Sequence, residues 1–503
     1  MKPTDLSNAL NEIDPAFIDA SAPEPAAENK KAARRRTRIA ALAAALAVLI
    51  GIGTAVIWRG AKHPSPSVPE TAATQQTESD KGLSALLRPL TAYAAQYPAQ
   101  TPYPAEGDLA PQSELDAWSQ AQIERRMSYF GAGKTLDAFF RRSLPAFLGG
   151  SAGQNTVCSP LNIYFALAML AEISDGNTRA QVLSLLGAPD VETMRTQANR
   201  VFNANYRNDG SASCILADSL WLNKNVSFRK DTLETLGKYY YASTYRGQPG
   251  TETFDNAIRA WVNGQTGGLL QNEVAGIKTD PLTMLALYTT AYFGDKWQAA
   301  FRPEETKKGV FHSPDGDAEA DFMHATDLWG TYYWGKKFGA VKKDLQQGGS
   351  VWFLLPDEGT TPEDLLQDSE ALRFLFTADK LNDWNNQKSL RVNLSLPKFD
   401  VSAQLSLKEG LQTLGVTDCF SEQADFSPLT DFQPIAVSDL NHGARVVADE
   451  QGVTAAAYTE MMLDGAAMPP EDEMNFNLNR PFLFAVMSDD RMPLFVGIVS
   501  QPT

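Results

Sequence analysis

The stretch DEQGVTAAAYTEMMLDGAAMPPEDE, Asp449 to Glu473, reads as a strand and as a loop at once. With a period of two from Val453, one set of alternate positions is Val453, Ala455, Ala457, Thr459, Met461 and Leu463, all of them buriable. The other set, Thr454, Ala456, Tyr458, Glu460, Met462 and Asp464, is mixed. Such alternation marks a strand with one face on a core. The run Gly465 to Pro470 and the acidic cluster Glu471–Glu473 read instead as exposed chain.

On either side of this stretch the chain is rich in strands. The runs SVWFLLP, LRVNLSLPKF, ARVVADE and PFLFAVMS have β-type patterning, whereas the earlier LDAFFRRSLPAFL and IYFALAMLAEI have helical patterning. Helices come mostly early and strands mostly late. That order predicts an α+β fold with a large, mostly antiparallel sheet rather than a regular βαβ array. No internal repeat is evident.

The chain of 503 residues is 43% hydrophobic and 21% charged, as a globular protein is. Its 60 acidic residues outnumber 44 basic ones, which argues against nucleic acid as a partner. Cys158, Cys214 and Cys419 are odd in number and far apart, so they form no disulfide framework and no metal motif; they read as small buried apolar residues.

Residues 39–58, IAALAAALAVLIGIGTAVIW, carry no charge and at ~1.5 Å per residue span the ~30 Å hydrocarbon core. They are expected to form a transmembrane helix. A cleaved signal peptide is the rival, but the polar region ahead is long for one and no clear small-residue cleavage site follows. Lys30, Lys31, Arg34, Arg35, Arg36 and Arg38 precede the segment and only Arg59 and Lys62 follow closely, which places residues 1–38 in the cytoplasm and the rest outside. Residues 59–112, rich in Pro, Ser, Thr, Gln and Ala, read as an extracellular tether with a short helix within 83–97, and the folded domain is expected over 113–503. The unpaired cysteines and the alanine-rich anchor suit a bacterial surface.

No enzyme motif is found: no G-x-S-x-G elbow, no H-E-x-x-H, no P-loop and no dinucleotide fingerprint. Of the four histidines, His63 falls in the tether, and His312 and His324 flank a turn as surface residues. His442 precedes a strand and could pair with Ser159 in a hydrolytic arrangement, but a satisfied core histidine is the plainer reading. No metal or cofactor is expected.

Five blocks resemble, in order, the serpin family. They are NTVCSPLNIYFALAMLAEISDGNTRAQVLSLLG (Asn155–Gly187), AYFGDKWQAAFRPEETKKGVFH (Ala291–His312), LPKFDVSAQLSLKEGLQTLGVTDCFSEQADFS (Leu396–Ser427), NHGARVVADEQG (Asn441–Gly452) and NRPFLFAVMSDDRMPLFVGIVSQP (Asn479–Pro502). The resemblance covers roughly residues 130–503. It implies that the opening stretch is protease bait which, once cut, inserts as an extra strand into the large sheet. On this reading the hinge is Glu450, Gly452, Val453, Thr454, Ala455, Ala456 and Ala457, with the alanines small enough to enter between strands and Gly452 supplying backbone freedom. Burying Val453, Met461 and Leu463 would contribute at most about 4–9 kcal/mol.

The resemblance further implies suicide inhibition of a serine or cysteine protease by a monomer that contributes no catalytic group. Counting from Glu450 puts the scissile bond at Ala466–Ala467, and small residues there suit the shallow pocket of an elastase-like or subtilisin-like protease. Trp297 corresponds to the family's breach region, and Ser159, Asn162, Thr289 and His442 to its shutter. Asn162 and Thr289 depart from the family's usual Ser and Asn, and Val453 and Thr454 from its usual Thr or Ser and Glu. The alternative is a non-inhibitory serpin serving as a surface binding or scaffold protein, a reading favoured by the altered shutter and by Tyr458.

Overall fold

Ser159 and Pro160 begin the central helix of the molecule, Pro160–Ile173. The Ser159 hydroxyl accepts from the Asn162 N–H, and Pro160 fills a first-turn position where its missing N–H costs nothing. All 14 residues of this helix are buried, as its apolar character on every face requires. It lies against strands of two different sheets. The computed structural model describes residues 83–104, 107–151, 153–376, 384–453 and 470–502. The expected tail and anchor, and Thr454 to Pro469 of the loop, lie outside the described residues. Among those described, no helix is long and apolar enough to cross a membrane.

The main sheet is built on strands β1 (Thr91–Tyr93), β2 (Ser213–Asn223), β3 (Ser243–Gly247), β4 (Leu285–Lys296), β5 (Phe399–Ser406), β6 (Val437–Ala448) and β7 (Gly452–Val453). Their spatial order is β1-β3-β2-β4-β7-β6-β5. Pairing is antiparallel except for β2 with β3 and β4 with β6. The two central strands therefore run side by side in the same direction, and parallel pairs are held slightly less tightly than antiparallel ones.

A second sheet of seven strands contains Thr156–Cys158, Phe338–Asp344, Ser350–Pro356, Phe482–Met487 and Pro493–Val499. A third, of four strands, ends on Glu473–Asn477, which runs parallel to Arg391–Pro397. Among the described residues, the last strand of the main sheet in chain order ends at Val453 and the next element is Glu473–Asn477 of the third sheet. The late strands and early helices expected from the sequence are present, and the three cysteines are buried and free.

The expected tether is corrected in its C-terminal part. Residues 83–87 are helical and β1 adds an edge strand to the main sheet. Tyr97 stacks on Tyr206, with centroids 5.1 Å apart and planes 9° from parallel. The Tyr93 ring lies so close over Gly237 that a Cβ there would come within 2.1 Å of it. Composition suggested solvated chain, but Leu83, Leu87, Leu90, Tyr93 and Tyr97 recur often enough to make apolar contacts with the body.

Candidate functional site

The hinge is where the main sheet divides. β4 and β6 pair directly from Leu285 with Val437 up to Ala291 with Ala444, and above that point the ladder stops. At the top, Val453 sits between them, opposite Ala448 of β6 and Asp295 of β4. Its side chain is 1% exposed. The first inward position of the alternating stretch is thus already seated as a strand.

Gly452 is required here by space. A Cβ on it would lie 2.3 Å from the Asp295 carbonyl oxygen and 2.7 Å from the Lys296 Cα, while its φ is not in the left-handed region. The expected backbone freedom is therefore not its role in this state. Ahead of it, the Asp449 carboxylate accepts from the Gln451 and Gly452 N–H groups at 2.8 and 3.2 Å, which folds the chain into a tight turn.

Trp297 ties that turn to the sheet. Its indole N–H donates to the Asp449 carbonyl at 2.8 Å and its backbone N–H to the Gln451 carbonyl at 2.9 Å. The Phe301 N–H donates to the Glu450 carbonyl, and Lys343 lies 4.4 Å from the Phe301 ring centroid. Burial lowers the Lys343 ammonium to about 8. The Glu450 carboxylate accepts from Lys398 Nζ at 2.6 Å and from the Thr306 hydroxyl at 2.8 Å. Burial works against its charge, but these two partners prevail and hold it below the ordinary glutamate value. Beside the hinge, burial pushes the Asp295 carboxyl up to about 7, against N–H groups donated by Gln347 and Lys296.

Ser159, Asn162, Thr289 and His442 are brought together beneath the lower seam. Ser159 N–H donates to His442 Nε2 at 2.8 Å, so this nitrogen is the acceptor and the proton sits on Nδ1. Nδ1 faces the Thr289 hydroxyl at 3.2 Å. Asn162 Nδ2 donates both to that hydroxyl and to the Thr290 carbonyl. The Ser159 hydroxyl points into the helix terminus rather than at the imidazole, and neither residue is exposed. This is not the geometry of a nucleophile and its base. Burial drives the imidazole down to about 3.

The sequence reading missed a fifth member, Asp218. It stands directly across from Thr289 on β2, is 1% exposed, and apart from that Thr289 hydroxyl no donor approaches its carboxyl oxygens. Burial raises its carboxyl well above the ordinary range, with the Thr289 hydroxyl opposing. The available signal was one acid inside the apolar run Cys214–Leu222. Lys398 and Thr306, which hold Glu450, were missed as well. Thr454, Ala455, Ala456, Ala457, Ala466 and Ala467 lie outside the described residues.

A family model described as serpin (serine protease inhibitor) matches residues 138–502. The leukocyte elastase inhibitor of Equus caballus is 30% identical over 359 residues, which are 69% of this chain and 93% of that protein. Alpha-1-antiproteinase 2 of the same organism is 29% identical, over 69% of this chain and 82% of that one. Among solved structures, the thermophilic serpin tengpin in its native state aligns with a TM-score of 0.65 at 24% identity, over 73% of this chain and 93% of tengpin. Human thyroxine-binding globulin aligns with a TM-score of 0.64 at 21% identity, over 75% of this chain and all of that one.

Proposed function

This chain belongs to the serpin family, and from that membership we propose that it inhibits a serine protease as a suicide substrate. The observation that carries the reading is Val453, the first inward hinge residue, seated between β4 and β6. The central pair is parallel and already parted at its upper end, so further alternate residues can follow Val453 without first breaking a ladder there.

In the proposed reaction the protease serine oxygen attacks the carbonyl carbon of Ala466. The bond to Ala467 breaks, Ala467 leaves as a new amino terminus, and an ester joins Ala466 to the protease. The freed hinge then inserts, with Ala455, Ala457, Thr459, Met461 and Leu463 following Val453 inward, and the protease is carried along and distorted before water can cleave the ester. The uninserted state is a kinetic trap, and burial of the loop drives its release. The small residues at 465–467, and the elastase inhibitor among the relatives, support a target with a shallow primary pocket.

Residues 39–58 are proposed to anchor the inhibitor, acting as a monomer, to the outer face of a membrane, with residues 1–38 in the cytoplasm. A second reading, a non-inhibitory binding or scaffold serpin, draws on Asn162, Asp218 and Thr289 beneath the seam. Incubation with elastase-like and subtilisin-like proteases separates them. Inhibition gives a denaturant-resistant complex and a released peptide beginning at Ala467, and the cleaved product melts well above the intact one. Clean cleavage with no rise in melting temperature overturns the inhibitory reading.

A further inference from the structure

Asp218, Thr289 and His442 occupy one row across three adjacent strands: Asp218 on β2 faces Thr289 on β4, which in turn faces His442 on β6. The row lies six residues below the Asp295–Val453–Ala448 level, about 20 Å down the same seam at ~3.3 Å per residue. An inserting strand that starts at Val453 reaches this level only by parting β4 from β6 between Thr289 and His442.

Both ends of the row are ionisable and both are held uncharged by the closed sheet. The Thr289 hydroxyl accepts from Asn162 and, through Nδ1–H, from His442. That leaves its own proton directed toward Asp218. No further donor satisfies the Asp218 carboxyl. The groups facing the pair from every packed element are Ser159 and Asn162 from the central helix and its cap, Thr289 and Thr290 from β4, and Tyr97 from the N-terminal segment. The Tyr97 phenol is itself pushed up by burial and, among lesser causes, by Asp218. No charged side chain among the described residues bears on either Asp218 or His442.

We propose that opening of the seam between β4 and β6 is coupled to proton release at Asp218, so that loop insertion is proton-gated, with His442 an opposing influence below about pH 6.5. The coupling to insertion rests on the inhibitory reading above; the coupling to opening does not. Water reaches both groups when the seam parts. Asp218 then releases its proton to solvent near pH 4 and above, and His442 takes one up near pH 6.5 and below. Closed, Asp218 keeps its proton well above pH 4. Its stabilising share is therefore complete below the unfolded value near 4 and declines as pH rises toward the folded value. Opening accordingly speeds up with pH through Asp218, by about tenfold per unit while the closed state holds the proton and the open state does not.

The test compares the full chain in mild detergent with its Asp218→Asn variant between pH 5 and 8. Two rates are read at each pH: unfolding in urea, which opens the seam however the loop behaves, and annealing of a labelled peptide of sequence 453–463. The readout is the ratio of wild type to variant, because His442, Asp295 and the peptide's own glutamate also titrate and cancel in it. Both ratios are expected to rise with pH from pH 5, by up to about tenfold per unit for as long as the closed state keeps the Asp218 proton. An infrared band of a protonated carboxyl group at pH 5 that survives Asp295→Asn and Asp490→Asn and is lost in Asp218→Asn is expected alongside and needs no comparison of rates.

A pH-independent unfolding ratio overturns the proposal. Should the variant fail to fold, the band is read in a chain carrying Asp295→Asn and Asp490→Asn: its absence at pH 5 overturns the proposal and its presence supports it. A rising unfolding ratio with no peptide annealing at any pH supports the gate and sinks the insertion reading instead.

Discussion

Gly452 lies so close to Asp295 that a single added carbon would sit 2.3 Å from the Asp295 carbonyl oxygen, well inside contact distance. The neighbour is backbone of β4, which cannot swing aside as a side chain can. Gly452→Ala is therefore expected to unseat Val453 from the top of the seam, at a stability cost of about 1–3 kcal/mol. A urea melt measures the loss. Hydrogen exchange at Asp295 and Ala448 checks its cause, since both should lose protection. An alanine variant as stable and as protected as wild type would show that the hinge does not occupy this seat in solution.

Val453 faces the core beside Ala448 and Asp295, and Ala455 is the next residue of the inward set. An arginine at either position would have to carry an unpaired charge into the sheet, which costs several kcal/mol. Val453→Arg and Ala455→Arg are expected to convert the inhibitor into a plain substrate. The protease should still cut the loop at an undiminished rate, and the denaturant-resistant complex should vanish from gels. Retained trapping in both variants would remove the insertion mechanism.

Asp295 supplies a pH dependence of its own. Its carboxyl is raised to about 7 in the folded chain, against ~3.9 unfolded. A raised acid gives its full share of stability below the unfolded value and loses it as pH climbs to the folded one. The stability difference between wild type and Asp295→Asn is thus expected to shift by about 2–3 kcal/mol against wild type from pH 5 to pH 7 and to level off above. Urea midpoints at four pH values suffice. Parallel curves would place the Asp295 carboxylate in contact with water.

The alternation from Val453 to Leu463 was legible because a strand's side-chain period is two whether or not the strand is formed. It foretold the seat that Val453 takes. The close approach at Gly452 was not legible, since a sequence does not say which backbone will approach a residue from a strand more than 150 positions away. Trp297 and His442 were singled out through family resemblance rather than from their own neighbours. Asp218 escaped notice because its meaning depends on Thr289 and His442 standing beside it across two strands. The segment 83–104 was misjudged for a related reason: proline and alanine dominate its composition, but Tyr93 and Tyr97 decide its fate through partners elsewhere in the chain.

That segment precedes the family match at residue 138 and still belongs to the folded body. Tyr97 stacks on both Tyr206 and Phe202, and Gln100 donates to the Tyr206 carbonyl at 2.7 Å. Tyr97→Ala is expected to cost about 2–4 kcal/mol, in the lower range for a large aromatic because the side chain is only half-buried. Removing residues 1–112 should cost more, and removing residues 1–73 almost nothing. Three melting curves decide it. Equal stability of the two truncations would return residues 83–112 to the role of a tether.

Ala466 is the residue whose carbonyl the protease is proposed to attack, and its methyl group selects a shallow pocket. Ala466→Arg should exclude elastase-like enzymes and admit trypsin-like ones, whose pocket carries a buried carboxylate matched to guanidinium. The expected outcome is loss of the complex with the first class and gain with the second. On the proposed insertion the loop would enter the sheet only up to the cut, which would leave residue 466 at the end of the inserted strand, so the arginine would not be forced into the core as one at 453 would be. Sequencing the released peptide fixes the register independently. A peptide beginning at Ala466 or Met468 shifts the bond by one residue, and the arginine should then exchange one target for the other only at the neighbouring position, Gly465 or Ala467.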